Sequence, residues 1–308
     1  MVKLDNVTEG VLDVINDNKF SQTGAFNLRE NGTSICHGDS EHIKIKKKTD
    51  KPGIDIYIDG KTDGEAVYIP VVLSKSGMTD LVYNDFYVED GADVRIVAGC
   101  GIHNSGCNES RHDGIHTFHV GKGAHLRYVE KHYGEGEGRG KRVMNPTTIV
   151  YLEEGASMDM ETTQIAGVDD TLRKTGGTLA AGSTLTVHEK IMTTGDQHAI
   201  TDFAIDLNGE NCSTDVVSRS VARDHSKQEF RSSINGNNAC AGHSECDAII
   251  MDKACVIATP ALTANHVDAA LIHEAAIGKI AGEQIIKLMT LGLTEEEAER
   301  EIVNGFLK

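Results

Sequence analysis

A glycine-containing turn followed by a strand-like segment recurs along the central part of this chain. The turn holds a glycine and two small or polar residues, and an apolar residue then opens the segment. It occurs at seven glycines: Gly64, Gly91, Gly123, Gly155, Gly182, Gly209 and Gly236. Successive glycines are 27 or 32 residues apart. A regular period of this size is typical of stacked supersecondary units.

The residues after each turn alternate between apolar and polar, as in Val94-Arg95-Ile96. This alternation is typical of a β-strand with one buried face. No long helical pattern lies between the glycines, so each repeat predicts one coil of a parallel β-solenoid. Glycine adopts the positive φ that a tight corner requires. The two longer spacings predict loops at residues 100–119 and 134–141.

The two ends of the chain do not follow this period. Residues 7–18 predict a short helix, and after about residue 270 the apolar residues recur at helical spacing. Thr294 and Glu297 have the spacing of a capping box, which predicts the start of a last helix. Terminal helices could cap the open ends of a solenoid.

The sequence therefore predicts three parts. An N-terminal helical and extended segment covers residues 1–60, and a β-helix core covers residues 61–268. A C-terminal helical segment covers residues 269–308.

The charge and hydropathy patterns exclude several classes of protein. The chain of 308 residues has 30 Lys and Arg against 47 Asp and Glu, giving a formal net charge of −17. An acidic chain repels phosphate backbones, so we expect no nucleic-acid partner. No apolar run is long enough to span a membrane, and the first residues have no apolar core of a secretory signal. We therefore expect a cytoplasmic protein.

The seven cysteines have two interpretations. Without a secretory signal a disulfide framework is not expected, and no Cys-x-x-Cys pair exists to form a zinc ribbon. Most cysteines could be small buried apolar residues. One or two could instead be thiolate ligands or sulfur carriers.

A segment rich in cysteine and histidine follows Cys100. It could bind a soft or borderline metal, or it could be a polar surface loop. In a strand, His112 and His116 would point to one side and His119 to the other.

Three further candidates lie near the junction of solenoid and C-terminal segment: Cys246, His273 and Glu274. Thiolate, imidazole and carboxylate together could hold iron with open positions. Equally, Cys246 could be a buried core residue and Glu274 could stabilise a helix N-terminus.

No motif for a common enzyme class is present. The chain has no phosphate-binding loop with the Walker spacing, no Gly-x-Ser-x-Gly and no His-Glu-x-x-His. A β-helix polysaccharide lyase or hydrolase would need clustered carboxylates on one face, and no pair stands out. This enzyme class remains the alternative interpretation.

The C-terminal third resembles the SufB/SufD family of iron–sulfur cluster assembly proteins. The resemblance is carried by Glu245-Cys246-Asp247, by His-Glu-Ala-Ala-Ile-Gly-Lys-Ile at 273–280 and by the segment 292–307. Gly99-Cys100 and Asp113-Gly114-Ile115-His116 are further matches. The resemblance covers about residues 64–308 and implies a right-handed parallel β-helix flanked by helices.

The resemblance implies a non-catalytic scaffold. Such proteins receive sulfur and iron, build a nascent iron–sulfur cluster, with [4Fe–4S] favoured here, and pass it to apoproteins. They bind a SufC-like ABC ATPase through the C-terminal helices, so ATPase activity is expected in that partner. They dimerise through the β-helix with themselves or with a SufB/SufD paralogue.

The resemblance also assigns roles to individual residues. Cys246 matches the cysteine of cluster building, His273 a histidine of both branches, and Glu274 a carboxylate of SufB where SufD has glycine. Cys100 matches a cysteine of sulfur entry. Ile272 stands where SufB often has another carboxylate, and we expect most of the long N-terminal region of larger members to be absent. We therefore expect a short, archaeal-type SufB-like chain that forms a homodimer.

Overall fold

The computed structural model describes residues 2–17 and 20–308, which form twenty strands and three helices. The helices are α1 (Asn6–Ile15), α2 (Gly282–Thr290) and α3 (Glu295–Phe306). The first ten strands are β1 (Ala25–Glu30), β2 (Thr33–Gly38), β3 (Ile43–Lys47), β4 (Gly53–Ile58), β5 (Glu65–Leu73), β6 (Thr79–Val88), β7 (Asp93–His103), β8 (Ser110–Val120), β9 (His125–Glu135) and β10 (Arg142–Met144). The others are β11 (Thr147–Leu152), β12 (Ser157–Ala166), β13 (Asp170–Leu179), β14 (Thr184–Thr193), β15 (His198–Leu207), β16 (Ser213–Ala222), β17 (Lys227–Gly236), β18 (Ala241–Ile250), β19 (Cys255–Ala264) and β20 (Ala270–Gly278).

From β4 onward the strands pass back and forth between two facing parallel sheets. One sheet has the order β2-β1-β5-β7-β9-β12-β14-β16-β18-β20, and the other β19-β17-β15-β13-β10-β8-β6-β4-β3, with β11 also pairing between β13 and β8. Two antiparallel hairpins, β1–β2 and β3–β4, begin the stack. The predicted parallel β-solenoid with helices at both ends is therefore confirmed.

Small buried residues at one corner of each coil define the true repeat. They follow a left-handed residue and stack along the solenoid: Ala92, Ala124, Ala156, Ser183 and Cys212. The preceding glycines, Gly91, Gly123, Gly155 and Gly182, have φ between 62° and 74°.

The prediction that Gly209 occupies the same corner was wrong. Asn211, with φ of 59°, occupies that corner instead. Its backbone N–H donates to the carbonyl oxygen of Ala239, just as the backbone N–H of Gly182 donates to that of Glu210. Asparagine is one of the few other residues that tolerate this conformation. Gly236 likewise lies at the end of β17, away from the corner.

The histidine-rich segment is strand rather than a protruding loop. Only residues 104–109 connect β7 to β8, and both strands lie in the sheets. In β8, His112 and His116 point inward and are buried, whereas His119 is exposed. The alternation of buried and exposed side chains in this segment is that of a strand in a sheet, and for this reason the segment does not protrude as the predicted loop. The second predicted loop, by contrast, is a loop at residues 136–141.

The terminal elements pack on the outside of the solenoid. Helix α1 lies against β5, β7 and β9, and residue 18 of the predicted helix lies outside the described residues. Residues 270–278, expected to open the helical segment, form the last strand instead, because their pairing with β18 continues the sheet. The predicted capping box of Thr294 and Glu297 is present. Among the described residues, no helix has the length and apolar character to span a membrane.

Candidate functional site

Cys100 points into the solenoid from the middle of β7. It is 4% exposed and lies between Val71 on β5 and His132 on β9. Alternation fixes this orientation, since Val94, Ile96 and Cys100 share one face. The thiol is therefore an interior group, and its chemistry depends on what surrounds it.

A buried ion pair lies beside this cysteine. Arg29 donates two hydrogen bonds to Asp80, with Nε–Oδ2 at 2.9 Å and Nη2–Oδ1 at 2.5 Å. The same carboxylate lies 3.1 Å from Nδ1 of His112. Asp80 therefore orients the imidazole of His112, whose ring faces the thiol of Cys100.

These groups shift one another's protonation. Burial raises the pKa of the Cys100 thiol, but the charges and hydrogen bonds of His112 and His132 outweigh it and lower that pKa to about 7. Burial lowers the pKa of His112, yet the Cys100 thiolate and Asp80 raise it to about 10. At neutral pH Cys100 is therefore substantially a thiolate beside an imidazolium, the form in which cysteine is nucleophilic.

A second buried cluster follows in the next coils. Arg173 on β13 forms an ion pair with Glu130, contacts His132 Nδ1 at 3.1 Å and approaches Glu189 at 3.4 Å. Burial raises the pKa of Glu130, but His132 and Arg173 hold it well below the usual range. Buried charges are tolerated only when paired. Here two carboxylates share one guanidinium.

Aromatic and hydroxyl groups extend this cluster. The Tyr128 hydroxyl donates to Glu130 at 3.0 Å and lies 2.8 Å from Nδ1 of His116. Burial lowers the pKa of His116 to about 4, so this imidazole is neutral near pH 7. A neutral histidine thus lies beside the charged groups without adding to the buried charge.

The strand register leads from this cluster to Cys246. Glu130, Thr162, Glu189, Ser218 and Cys246 occupy equivalent inward positions on β9, β12, β14, β16 and β18. Ser218 donates to Glu189 at 2.8 Å. Cys100 lies five strands before Cys246 in the same sheet, about 24 Å at a strand spacing of about 4.8 Å. The inward-facing polar side chains of Glu130, Thr162, Glu189 and Ser218 therefore lie in a row between the strand of Cys100 and Cys246. This row is called the polar path below.

The thiol of Cys246 differs from that of Cys100. Burial raises its pKa to about 12, and the negative charges of Glu189 and Asp247 add to the effect. Cys246 is therefore protonated at neutral pH, and binding a metal would release its proton. Cys100 therefore suits nucleophilic attack as a thiolate, whereas Cys246 suits metal binding with loss of its proton.

The other two predicted residues, His273 and Glu274, lie on opposite faces of the last strand, β20. His273 lies on β20 facing inward like Cys246, at a position two residues from the strand neighbour of Cys246, and its Nδ1 has no hydrogen-bond partner among the described residues. Glu274 faces outward. Both residues are in a strand, not at a helix N-terminus.

Glu274 meets two other potential ligands on the outer face. Ligand atoms of His243, Glu245 and Glu274 lie within 4.8 Å of one another. Nδ1 of His243 lies 2.7 Å from Asp215, which leaves its Nε2 free for a metal. Imidazole with two carboxylates suits a divalent cation such as iron(II).

The C-terminal end of the solenoid is open. No strand beyond β19 or β20 pairs with them in the described part of the chain, and both strands are largely exposed. Several large apolar side chains are exposed there: Ile257, Leu262, Val267, Ile272 and Ile277. An unpaired edge of this kind is a template for another chain.

The C-terminal helices lie beside this end. Val303 of α3 packs against Val221 and Ile249 of the solenoid. Helix α2 has no buried residue, and Ile286 and Met289 are 62% and 43% exposed. An apolar helix face therefore remains uncovered in the single chain.

Six buried charged or titratable residues were not among the residues predicted from the sequence. These are Arg29, Asp80, Glu130, His132, Arg173 and Glu189. A signal existed in β9, where Glu130 and His132 share the parity of the core residues Leu126 and Tyr128. A charged residue at the apolar parity of a strand needs a buried partner, so it marks an interior polar site.

Comparison with known proteins identifies the family. Residues 74–306 match the family described as SUF system FeS cluster assembly, SufBD core domain. An iron-sulfur cluster assembly SufBD family protein of Methanothermobacter thermautotrophicus is 27% identical over 229 residues, 73% of this chain and 54% of that protein. A protein of that family from Methanocaldococcus jannaschii is 24% identical over 98% of this chain and 99% of its own length. Another, from Archaeoglobus fulgidus, is 28% identical over 86% and 71%.

The chain thus spans about half the length of the Methanothermobacter relative and nearly all of the Methanocaldococcus one. The match of the family covers most of the solenoid and both C-terminal helices. This chain therefore belongs to the SufBD core domain family of SUF-type iron–sulfur cluster assembly proteins.

Proposed function

We propose that this chain is a scaffold component of a SUF-type iron–sulfur cluster assembly machine, without catalytic activity of its own. It receives sulfur and iron, builds a nascent cluster and hands it to apoproteins in the cytoplasm. The observation that carries this proposal is the line of buried polar contacts between a thiolate at Cys100 and a thiol at Cys246. A chain selected only for stability would fill such an interior with apolar side chains.

Sulfur enters at Cys100. Its low pKa makes it a nucleophile at neutral pH, as acceptance of a sulfane sulfur requires. Release of hydrosulfide from the resulting persulfide consumes two electrons, which a dithiol reductant supplies as it becomes a disulfide.

The polar path offers this sulfur places to bind on its way to Cys246. Thr162 Oγ1 is buried and has no hydrogen-bond partner among the described residues. Buried donors without partners are costly, which favours the transient binding of a polar species. Thr162 lies between Glu130 and Glu189 along the path.

The nascent cluster forms at the open end. Cys246 and His273 face inward there. Glu274 binds iron on the outer face, from which the iron passes to the cluster. One chain offers few ligands for a cluster, with [4Fe–4S] favoured, so a second copy or a SufB/SufD-like paralogue completes the site by pairing with β19 and β20. Ile272→Asp on this edge should shift a dimer toward monomer in analytical ultracentrifugation, and Leu81→Asp, on the side of the solenoid, should not.

A SufC-like ABC ATPase docks on the C-terminal helices. The exposed apolar residues of α2 favour this location because a monomeric protein rarely leaves a contiguous apolar surface uncovered. Hydrolysis of ATP in the partner then drives opening or release at the adjacent last coil.

The alternative, a carbohydrate-active β-helix enzyme, is not favoured. The charged residues of the site lie inside the solenoid, where a polysaccharide chain has no access. Family membership also places the chain among cluster assembly proteins.

Anaerobic reconstitution tests the proposal. The purified chain, alone and with a candidate ABC ATPase, is incubated with iron(II) and sulfide and then analysed for bound iron, acid-labile sulfide and visible absorption. We expect a brown protein with about equal iron and sulfide that transfers its cluster to an apoprotein. A colourless protein together with lyase or hydrolase activity would contradict the proposal.

A further inference from the structure

The buried position of Cys100 raises the question of how sulfur reaches it. The outer face of β7 is sealed by α1: a Cβ atom on Gly99 would lie 2.9 Å from Ile15 Cβ, and one on Gly101 would overlap Val11. The described residues of α1 therefore close the wall at Gly99 and Gly101. Toward the C-terminus, the open end of the solenoid lies six strands from β7, beyond the ion pairs around Arg173.

A cavity of about 400 Å³ opens at the N-terminal end of the solenoid. It lies between the hairpins β1–β2 and β3–β4, with Ser34 and Lys51 among its outer residues and Arg29, Val71 and Val82 among its inner ones. Its size is within the range of small-molecule sites. The cavity thus leads from solvent into the interior.

The inner end of this cavity lies next to Cys100. Val71 lines the cavity, is the strand neighbour of Cys100 and packs against it in one apolar cluster. Neighbouring strands are about 4.8 Å apart. Val71 is therefore the side chain that separates the cavity from the thiol.

The charge of the cavity favours an anion. Lys47 and Lys51 lie at its entrance, and the guanidinium of Arg29 lies inside it, 8% exposed and paired with Asp80. Asp50 is the acidic residue that lines it. Asp80 balances Arg29, so Lys47 and Lys51 against Asp50 leave one net positive charge at the entrance, in contrast with the net charge of −17 of the chain.

We propose that this cavity is the entry port through which a persulfide donor presents its terminal sulfur to Cys100. The inference rests on the proposed function and specifies its sulfur source as sulfane sulfur rather than free sulfide. The Cys100 thiolate attacks the terminal sulfur of R–S–SH, a new S–S bond forms, the donor S–S bond breaks, and the donor leaves as R–S⁻. Cys100 becomes a persulfide with no net oxidation or reduction.

Thiol accessibility tests the port independently of cluster assembly. The probe is methyl methanethiosulfonate, a small neutral reagent, and the labelling rate of the Cys100 peptide is measured by mass spectrometry against that of the exposed Cys107. Val82→Phe, which fills the cavity, should slow Cys100 labelling about tenfold or more. Val71→Ala, which removes the separating side chain, should speed it several-fold.

A matched variant controls for general loosening of the core. Val216→Ala removes the same atoms from a buried strand far from the port and should leave the rate of Cys100 unchanged. Unchanged rates in both Val82→Phe and Val71→Ala would overturn the port. An increase in Val216→Ala equal to that in Val71→Ala would also overturn it, because labelling would then follow global opening.

A second arm uses glutathione persulfide and a protein-bound persulfide as donors. Lys47→Glu with Lys51→Glu should slow sulfur transfer from the anionic small donor several-fold while leaving methyl methanethiosulfonate labelling unchanged. Val82→Phe should block whichever donor the wild-type chain accepts, and transfer that persists in this variant would overturn the port. If the port variants change labelling as expected but Cys100→Ser still builds full clusters from persulfide, the port stands and the proposed role of Cys100 fails.

Discussion

Arg173 and Glu189 form an ion pair inside the solenoid, with Nε and Oε2 at 3.4 Å and both side chains less than 5% exposed. Arg173 also pairs with Glu130, so one guanidinium balances two carboxylates from β9 and β14. This guanidinium fixes the centre of the polar path between the two cysteines. Its removal has consequences for stability and for sulfur transfer.

Arg173→Met should destabilise the fold strongly. Two buried carboxylates would lose their partner, which typically costs about 3–5 kcal/mol. The measurement is the free energy of unfolding in urea at pH 7. Arg127→Met is the matched control, because the pair of Arg127 with Glu161 is about half exposed and should contribute less than about 1 kcal/mol. Equal losses in the two variants would contradict the interior pairing.

Cys100 should react with alkylating agents at unusually low pH. The thiolate forms above the pKa, so the rate should rise to half its maximum near pH 7, whereas an unshifted thiol does so near pH 9. His112→Gln removes the neighbouring cation and should move the midpoint upward, even though His132 and Glu130 remain nearby. Peptide-level alkylation rates from pH 5 to 10 measure this. A midpoint near 9 in the wild type would contradict the thiolate–imidazolium pair.

Glu274 should contribute to iron(II) binding from the outer face. Glu274→Gln removes a charged ligand from the group with His243 and Glu245, and the affinity for iron(II) should fall by at least about tenfold. Anaerobic titration calorimetry measures it. Glu161→Gln, on the outer face of β12, should have no effect. The same affinity in both variants would remove Glu274 from the ligand set.

Charged substitutions on α2 should abolish docking of the ABC ATPase. Ile286→Asp with Met289→Asp alters exposed side chains, so the stability of the solenoid should change little. Affinity is measured by calorimetry with a candidate ATPase, and the far-ultraviolet circular dichroism checks the fold. Val267→Asp, at 91% exposure, is the control on the open end. Undiminished binding by the double variant would place the ATPase on another surface.

The coil architecture could be predicted because it depends on local pattern. Turn glycines with positive φ and strict alternation after them specify short strands, and the parity of His112, His116 and His119 gave their sides correctly. The corner position predicted for Gly209 was wrong because the sequence does not show which position of a turn a glycine occupies. Asn211 supplies the left-handed residue there.

The interior cluster could not be predicted because it depends on register between distant strands. Glu130 and Arg173 are 43 residues apart and face each other across the two sheets. Each lies at the buried parity of its own strand, which marks an interior charge but does not identify its partner. Likewise, Cys246, His273 and Glu274 lie on the neighbouring strands β18 and β20, but the parity of β20 places Glu274 on the opposite face, which spacing alone did not reveal.

Cluster yield from two sulfur sources tests the central claim most directly. Wild type, Cys100→Ser and Cys246→Ala are reconstituted anaerobically with iron(II), using either a persulfide donor or free sulfide, and bound iron and sulfide are measured. We predict that Cys100→Ser loses most of its cluster with the persulfide but little with sulfide, and that Cys246→Ala loses most of it with both while remaining folded. A Cys246→Ala variant that forms a full cluster with unchanged spectra from either source would contradict the account.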